Sequence, residues 1–260
     1  MLKSAGIISQ ARMTSTRFPG KVLKSIGENC ILGLHLQRLK KANIPLVVAT
    51  TINHEDDAII DFCNNLSTPT FRGSEHNVLS RFYQAARVQK WDVIVRVTAD
   101  CPLIDGDMIR KCVDQYLSWN NPWIYYSNCL HRTFPRGFDF EIFSFQALEE
   151  AYTKATEDFE IEHVTPYINR NKSGKIILKD WLTAPDLSDY RLTFDEADDF
   201  KMLESIIVKF KVADLNYESI SKILLQNSEL KKINAHVEQK KTESAQITAL
   251  STAQMASLTT

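Results

Sequence analysis

The sequence predicts an α/β protein built on a mostly parallel sheet that is flanked by helices. Short apolar runs such as AGIIS and WDVIVRVTAD are typical of buried strands. Runs between them place apolar residues three and four positions apart, which is the spacing of an amphipathic helix. Because strands that alternate with helices are joined by right-handed crossovers, this order predicts a doubly wound sheet over the first 120 residues.

Strands and helices alternate in order along the first half. Apolar runs predict strands over residues 5–9, 45–50, 68–73 and 91–100. Helical spacing predicts helices over residues 31–42, 55–66, 77–90 and 106–119. Asp105 directly precedes the last helix and is expected to cap it, since an aspartate side chain accepts hydrogen bonds from the first N–H groups of a helix.

The second half has a mixed pattern. Asn, Pro and aromatic residues with little periodicity fill residues 120–137. Beyond them, strands are predicted over 138–144, 175–181 and 190–194, and helices over 145–155, 158–170 and 196–210. No linker rich in Gly, Ser or Pro divides the halves, so we expect a single domain over residues 1–235 with a small appended lobe. The Gln-, Thr-, Ser- and Ala-rich residues 236–260 are expected to form a flexible tail.

The composition excludes several classes of protein. The 260 residues are 44% hydrophobic and 24% charged with a net charge of -1, so no overall field favours nucleic acid or acidic membranes. Five scattered cysteines without CxxC spacing argue against a disulfide framework or a zinc site and favour a cytoplasmic protein. No apolar run approaches the roughly 20 residues of a membrane helix. The opening MLKSAGIIS is not expected to act as a signal peptide.

A basic loop, SQARMTSTRFPGK, follows the first strand. Its cations Arg12, Arg17 and Lys21 have no acidic residue among them. Ligands of open α/β sheets bind beyond the carboxyl ends of the strands, so we expect these cations to converge on one polyanion, helped by backbone N–H groups near Gly20. Val22 stands where a Walker A loop needs Ser or Thr, so the loop is not of that type. The alternative is a solvated loop with exposed cations.

Two carboxylates follow strand-like runs. Asp100 comes directly after VIVRVTA, and Asp195 follows RLTF. Mg²⁺ typically takes one or two carboxylates together with phosphate oxygens, so the pair predicts a magnesium site for phosphoryl or nucleotidyl transfer. Alternatively, Asp100 is a turn residue before Cys101, and Asp195 with Asp198 caps a helix.

Several motifs occur here in the order of one family. These are QARMTSTRFPGKVL, FRGSEHNVLSRFYQAA, VRVTADCPLID, RTFPRGFDFEIFS, EHVTPYI and LTFDEADDF. Over residues 3 to about 225 the chain resembles the SpsF-like members of the cytidylyltransferase family, which are similar to the synthetases of CMP-activated sugar acids. The resemblance implies a nucleotide-diphospho-sugar transferase fold of the GT-A-like kind. A Rossmann-like, nucleotide-binding half would occupy residues 1–120, and an acceptor-side half residues 121–235.

The resemblance also implies roles for particular residues. Arg12, Arg17 and Lys21 would grip the phosphates of an NTP, while Asp100 and Asp195 would hold Mg²⁺; Arg17, Lys21 and Asp100 would be catalytic. The residues expected near base and ribose are Arg72, Gly73, Ser74 and Arg81. The residues expected on the acceptor side are Arg136, Gly137, Asp139, Glu141, Glu162 and His163.

The implied reaction transfers a nucleotide from an NTP, with CTP expected, to an acidic sugar for polysaccharide synthesis. An acceptor oxygen would attack the α-phosphorus in line and pyrophosphate would leave. Three positions depart from the family pattern: Asn77 replaces an Asp, Ala99 replaces a Gly, and DEADDF replaces D-T-P-E-D-F. The metal ligands survive these changes, whereas the change at Asn77 touches the expected contact with the base.

Other interpretations use the same residues. A GT-A glycosyltransferase would need a DxD-type pair, and Asp100-Cys101-Pro102 lacks one. A non-catalytic nucleotide-binding module would not need both metal carboxylates. His163 is either a general base or a packed residue. Arg132 and Arg136 either bind an acceptor anion or lie in a surface contact. A homodimer is expected by analogy, with the aromatic residues 120–128 as its contact.

Overall fold

A computed structural model describes residues 2–238 and centres on a seven-stranded sheet of order β5-β4-β1-β6-β8-β7-β9. The strands are β1 Ala5–Gln10, β4 Leu46–Thr51, β5 Thr70–Gly73, β6 Val93–Thr98, β7 Ile124–Ser127, β8 Glu141–Ser144 and β9 Ile177–Asp180; β2 Ser25–Ile26 and β3 Asn29–Cys30 form a separate small hairpin. Strands β5, β4, β1 and β6 are parallel, β8 runs antiparallel to β6 and β7, and β9 is parallel to β7. The predicted fold class, a mixed and mostly parallel sheet flanked by helices, is therefore confirmed.

Helices cover both faces of the sheet. They are α1 Ile31–Lys40, α2 Asp57–Asn65, α3 Val78–Gln89, α4 Gly106–Trp119, α5 Phe145–Lys154, α6 Asp158–His163, α7 Pro166–Asn169, α8 Ala197–Glu204 and α9 Tyr217–Gln226. Within residues 2–238, none of them has the length and apolar character that crossing a membrane requires. The predicted tail falls almost wholly outside the described residues.

Alternation along the central strands divides the core between the two faces. Ile7 and Val95 pack with residues of α1, α4, α8 and α9 on one face. Their neighbours Ile8 and Ile94 pack with residues of α3 and α5 on the other. Successive side chains of a strand point to opposite faces, so a strand buried on both sides must be apolar at every position. This is why AGIIS and VIVRV could be identified as strands from sequence.

The predicted elements of the first half are confirmed with small shifts at their ends. The largest shift is in β6, where the strand predicted over 91–100 spans Val93–Thr98, and the strand predicted over 68–73 begins at Thr70. Asp105 caps α4 as expected, because its carboxylate accepts hydrogen bonds from the backbone N–H groups of Asp107 and Met108 at 2.9 and 3.1 Å. Local sequence signals were sufficient here because each element is long and bounded by loops.

Predictions for the second half were less accurate. The strand expected over 190–194 is wrong: this extended segment bonds to loops on both sides, with Phe194 N–H donating to the Asp100 carbonyl at 2.8 Å and Leu192 N–H to that of Arg136 at 2.7 Å. The helix expected over 158–170 breaks at Val164, whose φ of 72° cannot continue a right-handed helix.

Two further predictions need correction. The helix expected over 196–210 is present but changes type, since α8 ends at Glu204 and a π-helix continues over Ser205–Lys209. Residues 120–137, expected to be irregular, contain β7, and its Tyr125 and Tyr126 are 1% and 7% exposed. Tyr125 and Tyr126 therefore pack within the chain's own sheet, and the homodimer contact expected at residues 120–128 stays a prediction.

Arg38 ties the C-terminal segment to the first half. This guanidinium is 2% exposed on α1 and donates to the carbonyl groups of Ile104, Ala213 and Leu215 at 2.9, 2.7 and 2.8 Å. Gly106 lies close by, since a Cβ there would stand 2.3 Å from the Arg38 carbonyl oxygen. The close approach of α1 and α4 therefore requires glycine.

We expect Arg38→Met to lower the free energy of unfolding by about 2–4 kcal/mol, because it leaves several buried carbonyls without a donor. Urea unfolding followed by circular dichroism measures this. Lys40→Met on the same helix is the control and should change stability by about 0.5 kcal/mol or less, since Lys40 is exposed. Equal unfolding midpoints for the two variants would contradict the role given to Arg38.

Candidate active site

A cleft of about 860 Å³ opens at the carboxyl ends of β1 and β6. All three cations of the basic loop line it, together with both predicted metal carboxylates, Asp100 and Asp195. Three loops that are distant in sequence therefore meet there: the loops after β1 and β6, and the segment before α8. The structure thus brings together the residues that the sequence placed at one rim.

Lys21 lies at the centre of this meeting point. Its ammonium donates to Asp100 Oδ2 at 2.8 Å, Asp195 Oδ1 at 2.8 Å and the carbonyl oxygen of Phe194 at 2.7 Å. The residue is only 8% exposed. The view of Lys21 as an exposed loop cation is therefore wrong, because the turn after Gly20 directs its side chain inward.

The Lys21 contacts determine the charge state of the site. Burial favours the neutral amine, but Asp100 and Asp195 outweigh it and raise the pKa of Lys21. Burial likewise favours the neutral form of Asp100, but the charge and hydrogen bond of Lys21 lower the pKa of Asp100 from its ordinary 3.8 to about 2. At neutral pH both groups are therefore ionised.

Asp195 is surrounded by cations. Arg17 lies 2.9 Å from its Oδ1, and Arg191 donates to its Oδ2 at 2.8 Å. The alternative of an Asp195 helix cap is wrong, because Glu196 and Asp199 form the capping box of α8. Asp195 is thus available to the cleft rather than committed to the helix end.

Two acidic residues hold the first part of the basic loop. Buried Asp56 accepts a hydrogen bond from Met13 N–H at 2.7 Å, and Glu75 lies 3.4 Å from the guanidinium of Arg12. The N–H of Gly20 donates to the Met13 carbonyl at 2.9 Å. This backbone donor, which was expected to help bind the anion, is therefore already used within the loop. The loop therefore offers side-chain cations rather than a backbone cradle at this point.

Asp100 and Asp195 fit a magnesium ion by the chemistry of their donors. Both are oxygen ligands, and each places an oxygen 2.8 Å from the Lys21 ammonium, a cation that they already share. Within residues 2–238 no group of three or more His, Cys, Asp or Glu side chains could hold a metal. An ion bound here would therefore take its remaining ligands from phosphate and water, as Mg²⁺ commonly does.

Only two of the four residues expected near base and ribose line the cleft. Ser74 and Arg81 line the cleft. Arg72 points elsewhere, donating to the Thr51 carbonyl at 2.9 Å and to Asp57 at 2.6 Å, while Gly73 ends β5 beside Arg81. The side chain of Arg72 therefore stabilises a neighbouring loop and is not part of the cleft lining.

Asn77, which departs from the family pattern, also borders the cleft. It caps α3, with its side-chain oxygen accepting the Ser80 N–H at 2.7 Å. An asparagine caps about as well as the aspartate expected there. The departure therefore preserves the helix start.

The acceptor-side residues are divided as well. Glu162 and His163, on α6, line the cleft, and burial lowers the pKa of His163. The other four lie outside the lining. These are Arg136, Gly137, Asp139 and Glu141.

Those four residues have structural contacts that sequence could not show. Asp139 makes a bidentate pair with Arg132 at 2.6 and 2.8 Å. Gly137 has φ of 107°, and a Cβ there would stand 2.4 Å from the Leu192 carbonyl oxygen. Glu141 is buried beneath the cleft and pairs with Arg96.

Sequence analysis missed Arg96, which lines the cleft with Thr98 on the same face of β6. One signal was present: Arg96 is the single charge in the apolar run VIVRV. A buried charge is costly unless it is paired, so a lone arginine in a central strand indicates either a buried partner or a ligand.

Comparisons with known proteins identify the family of this chain. A family model described as Cytidylyltransferase matches residues 5–241. An uncharacterised protein of Methanocaldococcus jannaschii is 39% identical over 244 residues, which are 92% of this chain and 97% of that protein. The spore coat polysaccharide biosynthesis protein SpsF of Bacillus subtilis is 31% identical over 212 residues, which are 78% of this chain and 85% of that protein.

Solved structures share the fold. A cytidylyltransferase from Leptospira borgpetersenii superposes with a TM-score of 0.83 at 34% identity, covering 92% of this chain and 98% of that one. A CMP:2-keto-3-deoxy-manno-octonic acid synthetase complexed with CTP superposes with a TM-score of 0.58 at 13% identity, covering 80% and 100%. The second likeness concerns the fold alone.

The ion pair of Lys21 with Asp100 predicts a pH-dependent effect of Lys21→Met. A carboxyl whose pKa is depressed in the folded state stabilises it above the ordinary pKa and loses that effect as the pH falls through the folded pKa. In the wild type this loss falls between about pH 4 and pH 2. In Lys21→Met, burial should raise the pKa of Asp100, so that variant should gain stability on acidification from pH 7 to pH 5.

Urea unfolding at pH 7 and pH 5 checks this prediction. The difference in free energy of unfolding between wild type and Lys21→Met should be smaller at pH 5 than at pH 7. Lys24→Met in the same loop is the control, because Lys24 faces the rings of Phe18 and Phe200 instead of carboxylates. A gap that is the same at both pH values would show that Asp100 does not depend on Lys21.

Proposed function

Because this chain belongs to the cytidylyltransferase family, we propose that it transfers CMP from CTP to an acidic sugar and releases pyrophosphate. The observation that carries the proposal is the Lys21 ammonium between Asp100 and Asp195, in a cleft that Arg12 and Arg17 also line. Cations beside a carboxylate pair are what a nucleoside triphosphate with its magnesium ion requires.

The cations of the basic loop have different roles in the proposed reaction. Arg12 and Arg17 are 43% and 32% exposed, so they can turn from Glu75 and Asp195 towards phosphate oxygens. Lys21 is held in place by its three hydrogen bonds. As the acceptor oxygen attacks the α-phosphorus, charge grows on the leaving pyrophosphate, and these cations would stabilise it.

Asp100 and Asp195 are the residues that would hold Mg²⁺. The ion would supply positive charge against the phosphate oxygens. The low pKa of Asp100 keeps its carboxylate ionised across the physiological range, so no proton has to leave before a cation binds. Arg191 beside Asp195 orients that carboxylate through a second contact at 2.8 Å.

The acceptor is proposed to be a sugar acid destined for a surface glycan. The relative named for spore coat polysaccharide biosynthesis supports the glycan. Glu162 and His163 on α6 support the position of the acceptor, because they line the same cleft as the basic loop. Burial keeps His163 neutral at pH 7, so one of its ring nitrogens can accept a proton or a hydrogen bond.

With Mg²⁺ present, CTP should raise the melting temperature more than ATP, GTP or UTP does. Arg17→Ala should weaken CTP binding about tenfold or more, because a charge-assisted contact contributes roughly 1.5–3 kcal/mol. Thermal-shift titrations of wild type, Arg17→Ala and the loop control Lys24→Ala measure both effects. Equal responses to all four nucleotides, or a preference for GTP, would rule out the cytidylyl assignment.

Asp100→Asn and Asp195→Asn should each reduce the rate of pyrophosphate release about tenfold or more, and the double variant should lose little beyond the worse single variant. The reason is that losing one ligand already spoils the shared ion site. Assays with CTP and a panel of sugar acids over a range of Mg²⁺ concentrations test this. Asp198→Asn is the control, since Asp198 pairs with Lys201 and His236 outside the cleft lining. Normal turnover by Asp195→Asn would remove Asp195 from the site.

A further inference from the structure

Arg81 is a buried cation for which residues 2–238 supply no counterion. The residue is 2% exposed on α3 and lines the cleft. Its guanidinium makes one hydrogen bond, from NH1 to the Ser74 carbonyl at 2.6 Å, and its Nε has none. In the part of the chain that the structure describes, no carboxylate lies at ion-pair distance from it. A buried and unpaired charge is strongly unfavourable, so this arrangement indicates a place for an anion.

Arg96 presents a second incomplete guanidinium to the same cleft. It pairs with Glu141 and reaches Gln10 at 3.3 Å, but its Nε also has no partner. Burial together with the charges of Arg12 and Arg96 lowers the pKa of Arg81 to about 10, although Asp56 and Glu75 oppose this. Nε and one NH2 group form the flat edge that matches the two oxygens of a carboxylate.

These two arginines lie on different elements from the basic loop, Arg81 on α3 and Arg96 on β6. Arg96 precedes Asp100 by four residues, and β6 ends between them at Thr98. It is held by Glu141 of β8, whereas the cations of the basic loop extend from β1. Arg12 is close enough to Arg81 for their charges to interact, so the place for this anion adjoins the position expected for the triphosphate.

Carboxylates in the lining of the same cleft limit the anion to a small charge. Helix α6 contributes Asp158 and Glu162, both exposed carboxylates. Like charges close to a bound anion disfavour it, and a phosphate monoester carries more charge at pH 7 than a carboxylate does. The same carboxylates can accept hydrogen bonds from hydroxyl groups. A polyhydroxylated molecule with one carboxylate satisfies both requirements.

We propose that Arg81 and Arg96 form the subsite that binds the carboxylate of the acceptor sugar, while Asp158 and Glu162 accept hydrogen bonds from its hydroxyl groups. This inference rests on the function proposed above. Glu141 is then a positioning residue: its oxygens also accept the hydroxyls of Tyr125 and Thr165, at 2.5 and 2.6 Å, and so fix Arg96.

The test is calorimetric titration of the protein with Mg²⁺ and a CTP analogue that has a methylene group between the α- and β-phosphates. The acid probes are 2-keto-3-deoxy-manno-octonic acid, N-acetylneuraminic acid and glucuronic acid; mannose and mannose 6-phosphate are the neutral and phosphorylated probes. Wild type should bind at least one acid, and bind it more tightly than mannose or mannose 6-phosphate. Arg81→Met and Arg96→Met should each weaken that binding about tenfold or more while changing analogue binding by about twofold or less.

Two controls keep the result interpretable. Arg87→Met, on the exposed face of the same helix as Arg81, should leave binding of the acid unchanged. Arg96→Met combined with Glu141→Gln removes both members of the buried pair and replaces Arg96→Met if that single variant does not fold.

The outcomes separate this inference from the function on which it rests. Failure of the wild type to bind the CTP analogue would overturn the proposed function itself. Analogue binding with no response to any acid, or tighter binding of mannose 6-phosphate, would overturn only the carboxylate subsite. Loss of analogue binding in Arg96→Met would assign the arginines to the nucleotide and likewise overturn the subsite.

Discussion

The cleft depends on one buried ammonium group. Lys21 donates to Asp100, to Asp195 and to the Phe194 carbonyl, and these partners come from segments separated by up to 174 positions in sequence. A charge this buried persists only when its partners are close and well oriented. The pairing therefore draws the loops after β1 and β6 and the segment before α8 into a single rim of the cleft.

Two buried acidic residues also hold parts of the site in place. Asp56, 0% exposed, binds the backbone of the basic loop at Met13, and Glu141 pairs with Arg96 of the cleft lining. Neither acid lines the cleft. Their effect is to pre-orient groups that do, which reduces the reorganisation needed when a ligand binds. Val164, with its left-handed backbone, ends α6 immediately after His163 and so helps to place that wall.

Residue type alone did not distinguish arginines that line the cleft from arginines whose hydrogen bonds are used within the protein. Arg72 and Arg81 occur in one motif, yet Arg72 donates to backbone carbonyls and Asp57 outside the lining, whereas Arg81 faces the cleft. Arg132 is a residue type that commonly binds anions, but its guanidinium already forms a bidentate ion pair with Asp139. In each case the deciding factor is whether the protein supplies a counterion, which is a property of packing.

The sequence by itself determined the alternation of strands and helices, the position of the basic loop and Asp100 at the carboxyl ends of strands, and the family. These follow from short-range periodicity and from motifs, which are local. Only the tertiary structure decided that Lys21 is buried, that residues 190–194 extend without joining the sheet, and that Arg96 borders the cleft. The physical reason is that burial, ion pairing and strand partners depend on residues far away in sequence, and local patterns carry no information about which distant group will supply them.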